Sequence, residues 1–258
     1  MPNMQQARSV PCQAMPGIGA ITGSDASEVP AMESDAAPPI KPRQADGIQL
    51  ASKRDQGAWG HAMKVNVVYA HPAQDSYVAS LHRRVVGVLK ARGDEVVDFD
   101  LYAMKFDPVM QVEELKGHAG PSPAPADLRV YIDALQWAEA CVFCFPTWWS
   151  GMPALLKGYF DRVWRPGVAF DLPTDGGTIR PALLNIRRMG VVTTFGSPWW
   201  YTRLYMQDPG RKVLLRGLKS MCGRTQKHLY LSKYSVERIS GEEREKFARK
   251  VEQQFERF

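Results

Sequence analysis

From Lys64 onward the chain alternates between two periodicities. Residues 64–70 (KVNVVYA) form a short β-branched run that ends at His71-Pro72, where proline stops ladder pairing. Apolar residues then recur at Val78, Leu81, Val85 and Val88, the spacing of one helix face, until Arg92-Gly93 supplies a stop. Residues 95–101 read as a second strand. Residues 140–145 read as a third, apolar almost throughout, as expected of a strand covered on both faces. Pro153 suits the first turn of a helix whose Leu156, Tyr159, Phe160 and Val163 face inward. Residues 190–194 predict a fourth strand, Asp208-Pro209 opens a helix closed by Gly223, and residues 228–231 predict a fifth strand. A last helix begins with a capping box at Ser240 and Glu243 and carries Phe247, Val251, Phe255 and Phe258 as its apolar stripe.

Strands separated by helices imply right-handed crossovers and an α/β fold, a doubly wound five-stranded parallel sheet with helices on both faces. Ligands in this class bind beyond the carboxyl ends of the strands, where the strand order reverses. The chemistry is therefore expected in three loops: after the first strand (residues 71–77), the third (146–152) and the fourth (194–201).

Residues 1–60 break this pattern, with seven Pro and six Gly but only seven Leu, Ile, Val or Phe. That is too little apolar surface to offset ordering. Residues 1–62 are expected to be a disordered N-terminal extension and residues 63–258 the folded domain. The glycines Gly17, Gly19 and Gly23 lack the preceding strand a dinucleotide fingerprint needs. Met63 directly precedes the first strand and is a candidate alternative start. Nothing over residues 1–23 reads as a secretory signal, because no apolar core of seven or more residues is present.

The body is basic: residues 1–60 carry net −1 and the remainder net +7. No helix-turn-helix, finger or RNP pattern accompanies that charge, so nucleic acid is not an expected partner. The excess suits anionic cofactors, whose local concentration it raises. The longest charge-free run, residues 140–156, is interrupted by Pro146, Ser150, Gly151 and Pro153, which argues against an integral membrane segment. Four scattered cysteines are too few for a disulfide scaffold, so a reducing, cytoplasmic setting is expected. Cys141 and Cys144 lie within a strand, where three residues span about 10 Å, so a redox or zinc pair is not expected and no metal is assigned.

The first loop, HPAQDSY, leads into a helix start whose free N–H groups and dipole make an anion site. His71 and Ser76 add donors, although His71 equally suits a turn histidine satisfied by backbone. The second loop, PTWWSGMP, places Trp148 and Trp149 at the end of a buried strand. Successive strand residues face opposite ways, so at least one indole faces the crevice and can wall a flat ring. The alternative is packing in the core or against a second copy. The third loop, TTFGSPWWYTRLY, repeats the theme with Thr193, Thr194, Phe195, Gly196 and Tyr201. Its hydroxyls can meet the polar edge of a ring, and its aromatic cluster equally suits an interface.

Several blocks resemble the NAD(P)H:quinone oxidoreductase family of flavodoxin-like flavoproteins, including its modulator-of-drug-activity and potassium-efflux ancillary branches. They are Tyr69-Ala-His71-Pro72 with Ser76-Tyr77, then Phe143-x-Phe145-Pro146-x-x-Trp149-x-Gly151-x-Pro153, then Lys157-Gly158-x-x-Asp161-Arg162-Val163, then Gly167-x-Ala169-Phe170, and finally Thr193-Thr194-x-Gly196. The resemblance implies a tightly bound FAD or FMN, NAD(P)H as electron donor and a quinone as acceptor, in a homodimer. It implies that His71, Ser76 and Tyr77 hold the phosphate and ribityl portions, that Pro146, Thr147, Trp148 and Trp149 flank the ring, and that Thr193, Thr194, Phe195 and Gly196 meet its pyrimidine edge. Tyr201 becomes the candidate catalytic residue. Three departures stand out: Val78 replaces an asparagine common in the family, Phe195 replaces a glycine, and Gln207 stands near where the mammalian branch has a histidine. The expected activity is a flavin-dependent two-electron NAD(P)H:quinone reductase. The alternative is a flavin-binding regulatory protein of a potassium-efflux system.

Overall fold

The computed structural model describes residues 62–117, 123–173, 177–223 and 227–258. The expected extension, apart from Ala62, lies outside the described residues. Five strands form one parallel sheet: β1 (Lys64–Tyr69), β2 (Glu95–Asp100), β3 (Ala140–Pro146), β4 (Arg188–Thr194) and β5 (Lys227–Lys233). Their spatial order is β2-β1-β3-β4-β5. Register pairs Tyr69 with Cys144 and Pro146 with Thr194, so the carboxyl ends of β1, β3 and β4 finish side by side. The chain leaves β1 toward one edge and later crosses back to β3 on the other side, which sets the switch point between β1 and β3.

Both faces are covered, as the apolar strands required. On one face α1 (Tyr77–Ala91) and α6 (Gly241–Glu256) press Val78, Leu81, Val85, Leu89, Phe247, Val251 and Phe255 onto Val65, Val67, Val142 and Val192. Between β2 and β3 lie α2 (Val112–Gly117) and α3 (Arg129–Trp137), beyond the elements the pattern predicted. On the second face α3 and α4 (Ala154–Val163) bury Tyr131, Ile132, Leu135, Leu156, Tyr159 and Val163 against Val68, Phe143 and Val191. The capping box at Ser240 and Glu243 forms as expected. Pro153 sits one position earlier than expected, as the N-cap of α4.

The helix expected over residues 208–223 is broken into turns of different pitch. After a wide π turn at Tyr201–Tyr205, α5 (Pro209–Lys212) gives way to a second π turn (Val213–Gly217) and a tight 3-10 turn (Leu218–Met221). Gln207 and Asp208, both left-handed at φ 55° and 47°, interrupt the chain ahead of α5. A two-residue antiparallel hairpin, Phe170–Asp171 with Arg180–Pro181, follows α4.

α4 is stapled in place by Arg162, which is 4% exposed. Its Nε donates to Glu114 Oε2 (2.9 Å), its Nη1 to the Asp107 carbonyl (2.6 Å) and its Nη2 to Asp127 Oδ2 (3.1 Å). That fork fixes the angle at which α4 leaves the β3 loop. Next to it, a Cβ on Gly158 would lie 2.3 Å from Pro108 Cβ and 2.5 Å from its carbonyl oxygen, so only glycine lets the chain after β2 approach α4.

Cys141 and Cys144 fall in the two separate cores on opposite faces of β3. Burial raises both thiol pKa values, and pushes that of Cys222 up to about 12. Among the described residues no cluster of His, Cys, Asp and Glu could hold a metal, and no helix is long and apolar enough to cross a membrane.

Two outcomes follow. Gly158→Ala is expected to destabilise the fold by about 1–3 kcal/mol in urea unfolding, the usual cost of overpacking. In a Cys12→Ser background the native protein is expected to leave Ellman's reagent unreacted at pH 8, because thiolate is the reactive form, and to titrate its remaining three thiols once unfolded.

Candidate functional site

The three loops named from the sequence meet at the switch point. Beyond β1, the Ala73 N–H donates to His71 Nδ1 at 3.0 Å. The Ala73 carbonyl is already approached by the Ser76 N–H and the Tyr69 hydroxyl. His71 Nδ1 also lies 3.1 Å from that carbonyl, so the loop backbone holds the ring. Burial raises the Tyr69 phenol, so it remains a donor beneath the loop. Ser76 caps α1, its Oγ accepting from the Ala79 N–H at 3.2 Å. The N–H groups of Tyr77 and Val78 have no acceptor within the helix. The first turn of α1 holds no acidic residue, with Asp75 just ahead of the N-cap, and its positive dipole end faces the loop.

Tyr77 itself turns away. Its hydroxyl donates to the Arg244 carbonyl on α6 at 2.8 Å, and the Arg244 guanidinium lies over its ring. Burial pushes its pKa up to about 12, so this bond persists across the ordinary pH range. The expected cofactor role of the Tyr77 side chain is thereby corrected. Only its backbone N–H faces the anion site.

Beyond β3, Thr147 ties two loops together. Its N–H donates to the Thr194 carbonyl (2.7 Å), and its hydroxyl shares a 2.9 Å hydrogen bond with that of Thr193. Pro146 is buried beneath it. Trp148 is 41% exposed, with its ring 6.0 Å from that of His71. Trp149 is fully exposed. The Trp148 and Gly151 backbones exchange two 3.0 Å hydrogen bonds around Trp149 and Ser150, whose φ values are 49° and 62°. Two positive central φ values define a type I′ turn, a shape that favours Asn-Gly. The glycine in the sequence therefore falls one position too late to relieve the turn, and a tryptophan and a serine carry it. Strain of this kind collects where a chain is shaped for something other than stability.

Beyond β4, Thr193 and Thr194 are buried and Gly196 is exposed. Phe195 points inward, stacked on Tyr234 with ring centroids 4.9 Å apart. Its N–H donates to the Lys233 carbonyl, and its own carbonyl accepts from the Val236 N–H. Ring and backbone of Phe195 are thus both engaged in packing. Tyr201 stacks on Tyr205 at 5.3 Å and meets Trp200 edge-on, so the structure groups it with the exposed aromatics of its own segment rather than with His71 or Trp148.

Asp208, expected only to open a helix, is also a buried acid. It is 4% exposed, caps α5 by accepting from the Arg211 N–H, and accepts from the Tyr230 hydroxyl at 3.4 Å. Burial and the Asp208 charge raise the Tyr230 pKa. A Cβ on Gly210 would lie 3.5 Å from the Ser150 carbonyl, so α5 packs on the strained turn. Also missed was an apolar cavity of about 570 Å³ beside α4, lined by none of the candidate site residues named from the sequence.

A family model described as flavodoxin-like fold matches residues 63–256. An NAD(P)H oxidoreductase of Haemophilus influenzae is 30% identical over 61% of this chain and 77% of its own length. The ribosyldihydronicotinamide dehydrogenase [quinone] of Pongo abelii is 32% identical over 62% of this chain and 77% of its own length. This chain belongs to the NAD(P)H:quinone oxidoreductase family. Among solved structures, Smu.1420 from Streptococcus mutans is 33% identical, aligns over 76% of this chain and all of its own, and superposes with a TM-score of 0.66. The quinone oxidoreductase of Methanothermobacter marburgensis, at 24% identity and a TM-score of 0.65, shares the fold. At the strand tips, His71 and Trp148 are brought together, as are Thr147 and Thr193.

The type I′ turn generates one prediction. Ser150→Gly is expected to stabilise the protein by about 0.5–1 kcal/mol, since relief of the left-handed penalty exceeds the extra chain entropy. Thermal melting measures it.

Proposed function

We propose that this protein is a flavin-dependent NAD(P)H:quinone oxidoreductase acting as a homodimer, with its flavin held at the tips of β1, β3 and β4. The observation that carries this reading is the continuous set of groups joining those tips: the free N–H groups of α1, the His71 imidazole, the Trp148 indole 6.0 Å from it, and the Thr147–Thr193 hydroxyl pair. Family membership and the quinone-reducing and NAD(P)H-oxidising names of its relatives support it.

The residues fit such a group. An anionic phosphate matches the acid-free start of α1, where unpaired N–H groups and the helix dipole favour negative charge. The His71 imidazole, in the same loop, adds a polar ring nitrogen. The half-exposed Trp148 offers a flat apolar wall, and the Thr147–Thr193 pair needs only one of its two protons internally, leaving one to donate outward. When bound, a flavin supplies the two-electron step, accepting a hydride from NAD(P)H and giving it to a quinone. The chain's own work is to orient, to exclude water and to hold preorganised donors where negative charge develops. The net +7 of the body raises the local concentration of anionic nucleotides.

A second copy of the chain covers the exposed strip formed by Trp149, Trp199, Trp200, Leu204 and Tyr205. These side chains are 54–103% exposed, an unusual density of solvent-facing aromatic surface.

The test is direct. Purified protein is expected to be yellow and to oxidise NADPH rapidly only when menadione is present; oxidation no faster with the quinone than without it overturns the activity. Trp148→Ala and His71→Ala are each expected to lower flavin affinity by about ten-fold or more, the worth of one such contact. Tyr77→Phe should retain flavin and lose only about 0.5–1.5 kcal/mol of stability, the usual share of one hydrogen bond. Leu204→Glu is expected to shift the sedimentation coefficient to that of a monomer.

A further inference from the structure

The apolar cavity beside α4 contains a charged group with a nitrogen that no described residue answers. About 570 Å³ in volume, it is walled chiefly by Met152, Phe160, Trp164, Phe170 and Met221, with Arg165 set among them. Arg165 is 4% exposed. Its Nη1 reaches neither solvent nor an acceptor among the described residues.

The contrast with Arg162, three residues earlier, is instructive. Arg162 is as deeply buried but bonds two carboxylates and a carbonyl. The acid that could neutralise Arg165 from within the cavity, Asp161, is committed to Lys157 at 2.5 Å. A guanidinium does not shed its proton in proteins, so it cannot escape burial by becoming neutral. A buried charge is stable only with a partner.

Local sequence holds Arg165 where it is. Trp164 ends α4, Pro166 biases Arg165 away from further helix, and Gly167 turns the chain at φ 77°. The Arg165 carbonyl accepts from the Val168 and Ala169 N–H groups, which locks the loop.

We propose that this cavity is a binding site for a flat, largely apolar organic anion, an aromatic carboxylate whose ring packs among Phe160, Trp164 and Phe170 and whose charge is met by Arg165. The site uses none of the residues assigned to the flavin, so it stands or falls independently of that reading.

The test titrates 2-naphthoate into the flavin-loaded protein, with tryptophan fluorescence and calorimetry as readouts and neutral, nearly isosteric 2-naphthamide as the comparison. One saturable naphthoate site per chain is expected, with the amide weaker by about ten-fold or more, as for a lost charge-assisted hydrogen bond. Arg165→Met should abolish the preference for acid over amide, and Arg165→Lys should keep part of it. Naphthoate should also raise the melting temperature of the wild type but not of Arg165→Met. Equal affinity for acid and amide, or no saturable binding, overturns the proposal. So does conversion of a wild-type dimer into monomers by Arg165→Met, which would mean that an acid from a second copy meets the guanidinium. If Arg165→Met does not fold, the acid-versus-amide comparison on the wild type decides alone.

Discussion

The parallel seam between β1 and β3 is the constraint on which the remainder of the molecule depends. Val65 through Tyr69 pair with Ala140 through Cys144, and the ladder is extended by the Ala70 N–H donating to the Cys144 carbonyl. Because β2 lies on one side of β1 and β4 beyond β3, the chain must diverge at this seam. Diverging connections leave a crevice at the carboxyl ends, since no crossover can run over it. The seam thus brings the His71 loop to Trp148, while the β3–β4 ladder brings Thr147 to Thr193. Were β3 to slip by one residue, every one of its side chains would change face and the two cores would exchange their lining.

Around that crevice the loops differ in how firmly they are held. The β1 loop is closed by its own hydrogen bonds, through His71, Ala73 and Ser76. The β4 loop is anchored from behind, by Phe195 on Tyr234 and by the Ser197–Thr202 hydroxyl pair at 2.7 Å. Only the β3 loop is strained, with Trp149 and Ser150 both left-handed and the Trp149 indole wholly in solvent. The turn is set between the buried end of β3 and Gly210 of α5, and those two boundaries impose the shape that its residues disfavour. The strained turn and the exposed aromatic strip that begins with it are where the chain gives up stability, next to the proposed site.

Two buried arginines, three residues apart, separate structure from binding. Arg162 is fully bonded and joins α4 to α2 and to the turn before α3, so its charge stabilises the scaffold. Arg165 is equally buried and lines an apolar cavity, its Nη1 without an acceptor among the described residues. A low-dielectric wall amplifies an unpaired charge, and a cavity so built favours ligands of opposite sign over neutral ones of the same shape.

The sheet, the position of the three loops and the inward faces of α1, α4 and α6 were legible in the sequence because each depends on a local period: two for strands, 3.6 for helices. The family's motif blocks were equally legible, since their residues are contiguous. The α3 stripe of Leu128, Tyr131, Ile132 and Leu135 carried the same helical signal but lies behind a proline-rich stretch that reads as loop. What the sequence left open was direction. Tyr77 and Phe195 sit within candidate motifs, yet one is drawn to Arg244 and the other to Tyr234, partners 167 and 39 residues away in the chain. The burial of Asp208, the strain at Trp149 and the unpartnered nitrogen of Arg165 were likewise invisible, because each is defined by what approaches it from a distant segment. Local periodicity fixes which residues are buried; only the folded chain decides which buried or half-buried group finds a partner and which is left facing a ligand.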